Sequence, residues 1–312
     1  MIVLSDSCAY AEHLINPKIR WTKSDLSFFY DNPVLKEIAA EVYPKGTFYQ
    51  TKIDLGGLWS IAFISERSFI SHYDLMIEAA RMRNDLPGGL ILIAGESDYC
   101  HGQRGRPWAA LSGNLHLTVF LAPKCRIAHF GTGFSILAAV SVVEMIDGFK
   151  ELRGKAAIKW VNDINIGKAK IAGFLAHTHS IGNKIESAIL GIGMNVETNP
   201  CIAGDMFIYD SISLCELVSD EEEGVLGKVF RNLLLRLNIN YNLLKAGKYD
   251  DLLSVYRARS SILGRKVRIF SDPEDGDRRL IDSGIVERIG DNLELYLRGK
   301  ERPITRGRLV LE

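Results

Sequence analysis

The stretch from Ile158 to Gly173, IKWVNDINIGKAKIAG, constrains this chain more than any other. Ile158, Trp160, Ile164 and Ile166 keep the alternation of a strand, yet Lys159, Asn162 and Asp163 are too polar for a strand buried only for packing. Such a strand carries polar groups into a pocket. Gly167-Lys168-Ala169 reads as a tight turn and Lys170 to Leu175 as the returning strand, with Ala172 and Gly173 leaving space against the backbone. The hairpin reads as half of a binding site with Lys159 as its key cation. An ion pair between Lys159 and Asp163 is the plain structural alternative.

The rest of the composition narrows the class. At 312 residues, 47% hydrophobic and 24% charged, the chain buries a sizeable core and is expected to hold more than one domain. Its 38 basic and 38 acidic residues exert no global pull toward nucleic acid or membrane, so any bound anion must be met by local placement. Cys8, Cys100, Cys125, Cys201 and Cys215 are odd in number and irregular in spacing, which points away from a disulfide framework or structural zinc and toward a reducing, cytoplasmic setting. The start, MIVLSDSCAYAEH, lacks the basic-then-apolar pattern of a leader, and Phe134 to Ile146 is too short to span a bilayer. A soluble protein is expected.

Asp6 to Ile15 and Asn32 to Val42 have helical spacing, and Thr47 to Ile64 reads as two strands broken by Gly56-Gly57. Lys18, Arg20, Lys23 and Lys36 alternate with Asp25, Asp31 and Glu37, and no helix-turn-helix pair is evident, so no nucleic-acid role is expected. Phe69 to Asn84 reads as a strand end running into a helix capped by Ser71 or Asp74. Glu96 to Trp108, ESDYCHGQRGRPW, is a glycine- and proline-broken loop in which Arg104 and Arg106 can fold around phosphates. A strand follows from Ser112 to Leu121, then an apolar helix within Ile127 to Phe149. His177 and His179 have no third partner for a metal.

Lys184 to Val196 returns as a strand in which Gly191 and Gly193 permit close approach to a bound ring, and Asn195 either bonds a substrate or closes a turn. Ile212 to Val218 has helical spacing, acidic Asp220 to Glu223 leads the long amphipathic helix Leu226 to Leu244, and Asp250 to Arg259 adds another. Beyond Leu263-Gly264 the pattern shifts to short strands at Lys266 to Ile269, Gly284 to Arg288, Leu293 to Leu297 and Arg308 to Leu311, which read as a small β-barrel.

Taken in order, RGRPW, KWVNDI, KIAGFL and GIGMNV resemble the blocks of the biotin protein ligase family, within the biotin/lipoate protein ligase superfamily, over roughly Phe69 to the C-terminus. The resemblance implies an α+β fold: a class II aminoacyl-synthetase-like mixed sheet with packed helices, plus an SH3-like C-terminal β-barrel. The chain would divide into an N-terminal segment 1–64 of unknown role, a catalytic domain 65–262 and a C-terminal domain 263–312. It further implies ATP-dependent activation of biotin as biotinyl-AMP, with Mg2+ accompanying ATP, and transfer to a lysine on the biotin carrier domain of a biotin-dependent carboxylase; a homodimer stays open.

For the chemistry, the resemblance points to Lys159, Arg104 and Arg106, since a mixed anhydride with AMP needs cations around the phosphate and a pocket that keeps water out. Substrate contacts are expected from Ser71, His72 and Tyr73 at the helix entrance, and from Ser97, His101, Gly102, Gln103 and Trp108 on the loop. The remaining contacts are expected from Gly113, Asn114, Asn162, Asp163, Gly173, Gly191 and Asn195. The chain departs from the family pattern at the entrance, where Ser71-His72-Tyr73 replaces Ser-Thr-Asn. It departs again on the loop, with Ser97 in place of Gln and His101 and Gln103 in place of arginines. These departures leave two alternatives: a ligase for lipoate or a medium-chain fatty acid, and a non-catalytic ligand-binding relative.

Overall fold

The computed structural model describes residues 1–15, 19–83, 85–201, 207, 210–219, 224–272 and 279–312. The expected acidic lead at Asp220 to Glu223 lies outside the described residues, as do Lys18 and Asn84. In chain order the first part runs β1 (Ile2–Ser5), α1 (Cys8–Leu14), β2 (Thr22–Asp25), α2 (Pro33–Val42), β3 (Thr47–Lys52), β4 (Ile61–Ser68), α3 (His72–Met82), β5 (Leu90–Ser97) and β6 (Leu115–Leu121). It continues with α4 (Phe130–Ile146), β7 (Ala156–Lys159), β8 (Asp163–Ile166), β9 (Ala169–Ile181), β10 (Lys184–Met194), β11 (Asp210–Ser211), α5 (Val225–Lys245) and α6 (Tyr249–Ala258). The last strands are β12 (Lys266–Phe270), β13 (Leu280–Ile289), β14 (Leu295–Leu297) and β15 (Arg308–Leu311).

One large mixed sheet follows the order β2-β3-β1-β4-β5-β6-β10-β9-β8-β7, with β11 on the start of β9. Among the described residues its parallel strand pairs are β1–β4, β4–β5 and β9–β11. Consecutive residues on its central strands go to opposite cores: Leu90 and Leu92 face α2 and α3, while Ile91 and Ile93 face the side covered by α4 and α5. Burial on both faces explains why β5 and β6 read as apolar runs without clean alternation. Helix α4 is apolar on every side because it lies between the sheet and the pair α5 and α6.

The segment 1–64 joins the large sheet: β1 lies between β3 and β4, and Tyr43 donates its hydroxyl to the Leu4 carbonyl at 2.8 Å. One expectation needs correction. Around Ile212 to Val218 the backbone makes turns, not a helix, because Glu216 accepts from the Ser213 amide at 2.7 Å and from its hydroxyl at 2.8 Å. Where an SH3-like barrel is expected, the structure has a four-stranded antiparallel sheet, β14-β13-β12-β15. This sheet is pinned to the body near the polar hairpin: Trp160 donates its indole N–H to the Leu293 carbonyl at 2.8 Å, and Arg257 pairs with Asp291 at 2.8 Å. Among the described residues no helix is long and apolar enough to cross a membrane.

Candidate active site

Strands β9 and β10 place Gly173 directly opposite Gly193. A Cβ on Gly193 would fall 2.5 Å from the Trp108 ring, and one on Gly173 would sit 3.4 Å from it, so the two glycines clear a slot for that indole. A Cβ on Gly191 would come within 3.0 Å of the Tyr73 ring. The close approach expected for a bound ring is thus made, at these positions, by two of the protein's own rings. Trp108 donates its indole N–H to His116 Nδ1 at 3.3 Å, and His116 Nε2 lies 3.2 Å from the Leu111 carbonyl. A donor at one nitrogen and an acceptor at the other fix His116 as neutral with its proton on Nε2. Burial pushes its pKa down to about 4, against a smaller upward pull from the Leu111 carbonyl.

Helix α3 enters this wall with Ser71 as its N-cap, accepting from the Asp74 amide at 3.2 Å. The same serine lines the cavity, so its capping and lining positions coincide. His72 is buried, its Nε2 3.1 Å from Ser68 Oγ, and burial pushes its pKa down to about 4. His101 closes the loop over the cavity. Its Nε2 lies 2.8 Å from Asp74 and its Nδ1 3.0 Å from the Gly102 carbonyl, so both nitrogens face acceptors. Burial pulls its pKa down, but the Gly102 carbonyl and the Asp74 carboxylate outweigh that and hold it above the ordinary histidine value.

A second, polar half adjoins the first and shares Gln103, Arg106, Asn162, Asp163, Lys170 and Arg308 with it. Lys159 borders only this half, is 6% exposed, and donates to the Phe207 carbonyl. Asp163 pairs instead with Lys170, at 2.6 Å. Burial would raise the Asp163 pKa, yet Lys170, then Lys159 and Arg106, hold it below the usual carboxylate range. Lys170 also lies 5.4 Å from the Trp108 ring centroid, which joins the aromatic wall to the cationic half. Arg308, from β15, stacks its guanidinium 3.6 Å over Phe207.

Of the expected catalytic residues, Arg106 lines both halves and Lys159 one, while Arg104 lines neither. Arg104 has a left-handed backbone (φ 60°) and pairs with buried Asp272 of the C-terminal sheet region at 2.5 Å. Tyr73, Gly102, Gln103 and Trp108 line the cavity, as do Asn162 and Gly191. Four expected contacts are not among its lining residues. Ser97 Oγ accepts from the Tyr99 amide at 3.0 Å, and Gly113 (φ 84°) turns the chain beside Glu197. Asn114 is fully buried and accepts from the Val196 amide at 2.8 Å and the Thr198 amide at 3.1 Å, tying the start of β6 to the end of β10. Asn195 reaches the Lys170 and Ile212 carbonyls at 3.4 and 3.3 Å, which is the turn-closing alternative.

The sequence reading missed Lys170, His116, Phe207 and Arg308. Lys170 pairs in register with Asn165, which makes Asp163 its diagonal neighbour. Among the described residues, no group of three or more His, Cys, Asp or Glu is placed to hold a metal ion.

The sequence model of the Biotin/lipoate A/B protein ligase family matches residues 83–195. The chain is 32% identical over 119 residues to the bifunctional ligase/repressor BirA of Bacillus subtilis, covering 38% of this chain and 35% of that protein. It is 24% identical over 268 residues to the biotin--[acetyl-CoA-carboxylase] ligase of Mycobacterium tuberculosis, covering 78% of this chain and 92% of that one. The chain spans about a third to a half of the first curated relatives it matches, between 34% and 51%. In three dimensions it resembles the biotin protein ligase from Aquifex aeolicus in complex with biotin and ATP, with a TM-score of 0.59, 18% identity, and coverage of 80% of this chain and 98% of that one. That likeness shows the fold.

Proposed function

We propose that this protein is an ATP-dependent biotin protein ligase. The observation that carries the reading is Lys170: it stands where the aromatic and cationic halves meet, held by Asp163 and facing Trp108. In the first half-reaction a carboxylate oxygen of the acid attacks the α-phosphorus of ATP, and the bond to pyrophosphate breaks. Charge grows on the phosphorus oxygens, and a preorganised cation in a partly dry site is the device that stabilises it. Lys170 meets that charge and the acid's carboxylate together, with Arg106 and Arg308 beside it. Lys159 acts from behind, through the field it adds near Asp163.

In the second half-reaction a lysine amine of the acceptor attacks the acyl carbon; the carbon–oxygen bond to AMP breaks, and the amine loses its proton to solvent. The acceptor in this reading is a biotin carrier domain of a carboxylase, the setting is cytoplasmic, and Mg2+ arrives with the phosphates of ATP. The C-terminal sheet serves as the SH3-like domain of such ligases, lending Asp272 and Arg308 to the polar half. A homodimer is compatible with the reading.

One observation favours a second reading, a non-catalytic ligand-binding relative: Gln103 brings no charge, and Arg104 is engaged by Asp272. Pyrophosphate release from ATP with biotin, lipoate and octanoate in parallel separates these readings, with mass spectrometry of the acyl-adenylate. Release with biotin above the other acids is expected. Release with none of them would leave ligand binding as the function.

A further inference from the structure

A groove between α2 and α3 lies beside the site and belongs to neither half of it. Buried Val34 and Ile38 form its floor, while Phe69 (60% exposed), Met82 (73%) and Tyr99 (56%) stand at its margins. Apolar side chains this exposed, gathered along one concave surface, are what an interaction site presents. The groove is also acidic. Glu37, Glu41, Asp74 and Glu78 line it against one cation among the described residues, Arg83, which Glu37 already engages at 3.3 Å. Asp74 is taken by His101, whereas Glu41 and Glu78 have no ion-pair partner among the described residues.

Position links the groove to the chemistry. Ser71 lines both the groove and the cavity, and Asp74 on the groove holds the loop residue His101 over the cavity. Anything seated in the groove therefore lies next to the loop that covers the reacting groups. We infer that the groove docks a segment of the acyl-accepting protein that is apolar with basic residues at its edges, and so brings the lysine to be modified to the cavity. The inference rests on the ligase reading above.

A second copy of the chain fits less well. A two-fold interface brings a patch onto itself, which would oppose Glu41 and Glu78 to their own copies and set one concave face against another. A basic segment meets neither obstacle.

The test uses the full chain with ATP, biotin and a purified carrier domain of a biotin-dependent carboxylase. Glu41→Lys combined with Glu78→Lys, and separately Met82→Asp, alter the groove without touching any cavity-lining residue. Pyrophosphate release with biotin alone should stay unchanged, while KM for the carrier domain should rise by about tenfold or more in each variant, with a weaker salt dependence in the charge-reversed one. An unchanged carrier KM in both variants would overturn the docking assignment and leave the ligase reading standing. A shift in sedimentation on charge reversal would make the occupant a second copy, which also overturns it. No pyrophosphate release from the unaltered chain would remove the ligase reading, and this inference with it.

Discussion

The wall that carries Trp108 comes from neighbouring strands β6, β10 and β9, whereas the cationic half gathers Lys159, Arg106, Phe207 and Arg308 from separate stretches of chain. In the first half the hydrogen-bonded register sets Gly173 opposite Gly193 and so fixes where the indole lies. In the second half the ladder of β7, β8 and β9 places Lys159, Asp163 and Lys170, but Arg106, Phe207 and Arg308 come from outside it. This half is held by ion pairs and carbonyl contacts between distant segments, such as Arg104 with Asp272 and Lys159 with Phe207. Packing governs one half and charge the other, so substitutions in the first should act on the acid's affinity and those in the second on ATP and the transition state.

The largest effect is expected at the junction. Lys170→Ala should keep the fold and lower adenylate formation by a factor on the order of 10² to 10³, the range for removing one electrostatic stabiliser. Lys159→Ala should cost less, because its ammonium is committed to the Phe207 carbonyl and borders only the polar half. Pyrophosphate-release rates of the two variants decide between them. A larger loss at Lys159 would return it to the central role that the sequence suggests.

The packed half breaks differently. Gly193→Val would place its Cβ about where the indole now sits, 2.5 Å from Trp108, and force the ring out of its slot. Overpacking of this kind costs roughly 1–3 kcal/mol, so KM for the acid should rise by about tenfold to a hundredfold while KM for ATP moves little. Initial rates with each substrate varied in turn provide the check. Equal changes in both constants would mean that the halves are not independent.

Arg308→Ala tests the opposite half and the contribution of the C-terminal sheet. Loss of one charged hydrogen bond in a partly dry site is worth ~1–2 kcal/mol, so KM for ATP should rise by about tenfold with acid affinity retained. Raised ionic strength should weaken ATP binding in the same direction. Unchanged ATP kinetics in the variant would remove the C-terminal sheet from the site.

The same contrast governs what the sequence reveals. The turn at Gly167 and the glycines of β10 are local patterns that led to the right strands, whereas Ile158 to Ile166, which reads as one alternating strand, folds back on itself as β7 and β8 with Lys159 opposite Asp163. Lys170 escaped because Asp163 stands directly opposite Lys159 across β7 and β8, while the register shift between Ile164 and Asn165 that brings Lys170 to its carboxylate leaves no mark in the sequence. Asn114 and Asn195 look like ligand contacts on paper, since a buried asparagine beside a glycine suits either role. In the fold their side chains satisfy backbone groups at strand ends. Arg308 and Asp272 left no signal, because nothing local in the sequence says that the C-terminal sheet returns to the hairpin. For the same reason β1, only four residues long, could not be matched to its partner β4.

The smallest expected effect lies between the halves, at the loop latch. His101 faces Asp74 and the Gly102 carbonyl, a setting that suits the imidazolium, and its pKa is held above the ordinary value. A raised folded-state pKa means that the latch is fully made below the unfolded value, about 6.5 for histidine, and loosens as pH rises through the folded one. His101 is partly exposed and its partner more so, so the change should be a modest one. Dissociation of the acyl-adenylate should quicken by about two- to fivefold between about pH 6 and pH 9 in the unaltered chain, and His101→Gln should be fast and flat across that range. His116 and His72, both pushed down to about 4, stay neutral over the whole interval and contribute no slope of their own. A variant that keeps the full slope would place the titrating group outside the latch, and the loop would then owe its closure to Arg106 and Trp108 alone.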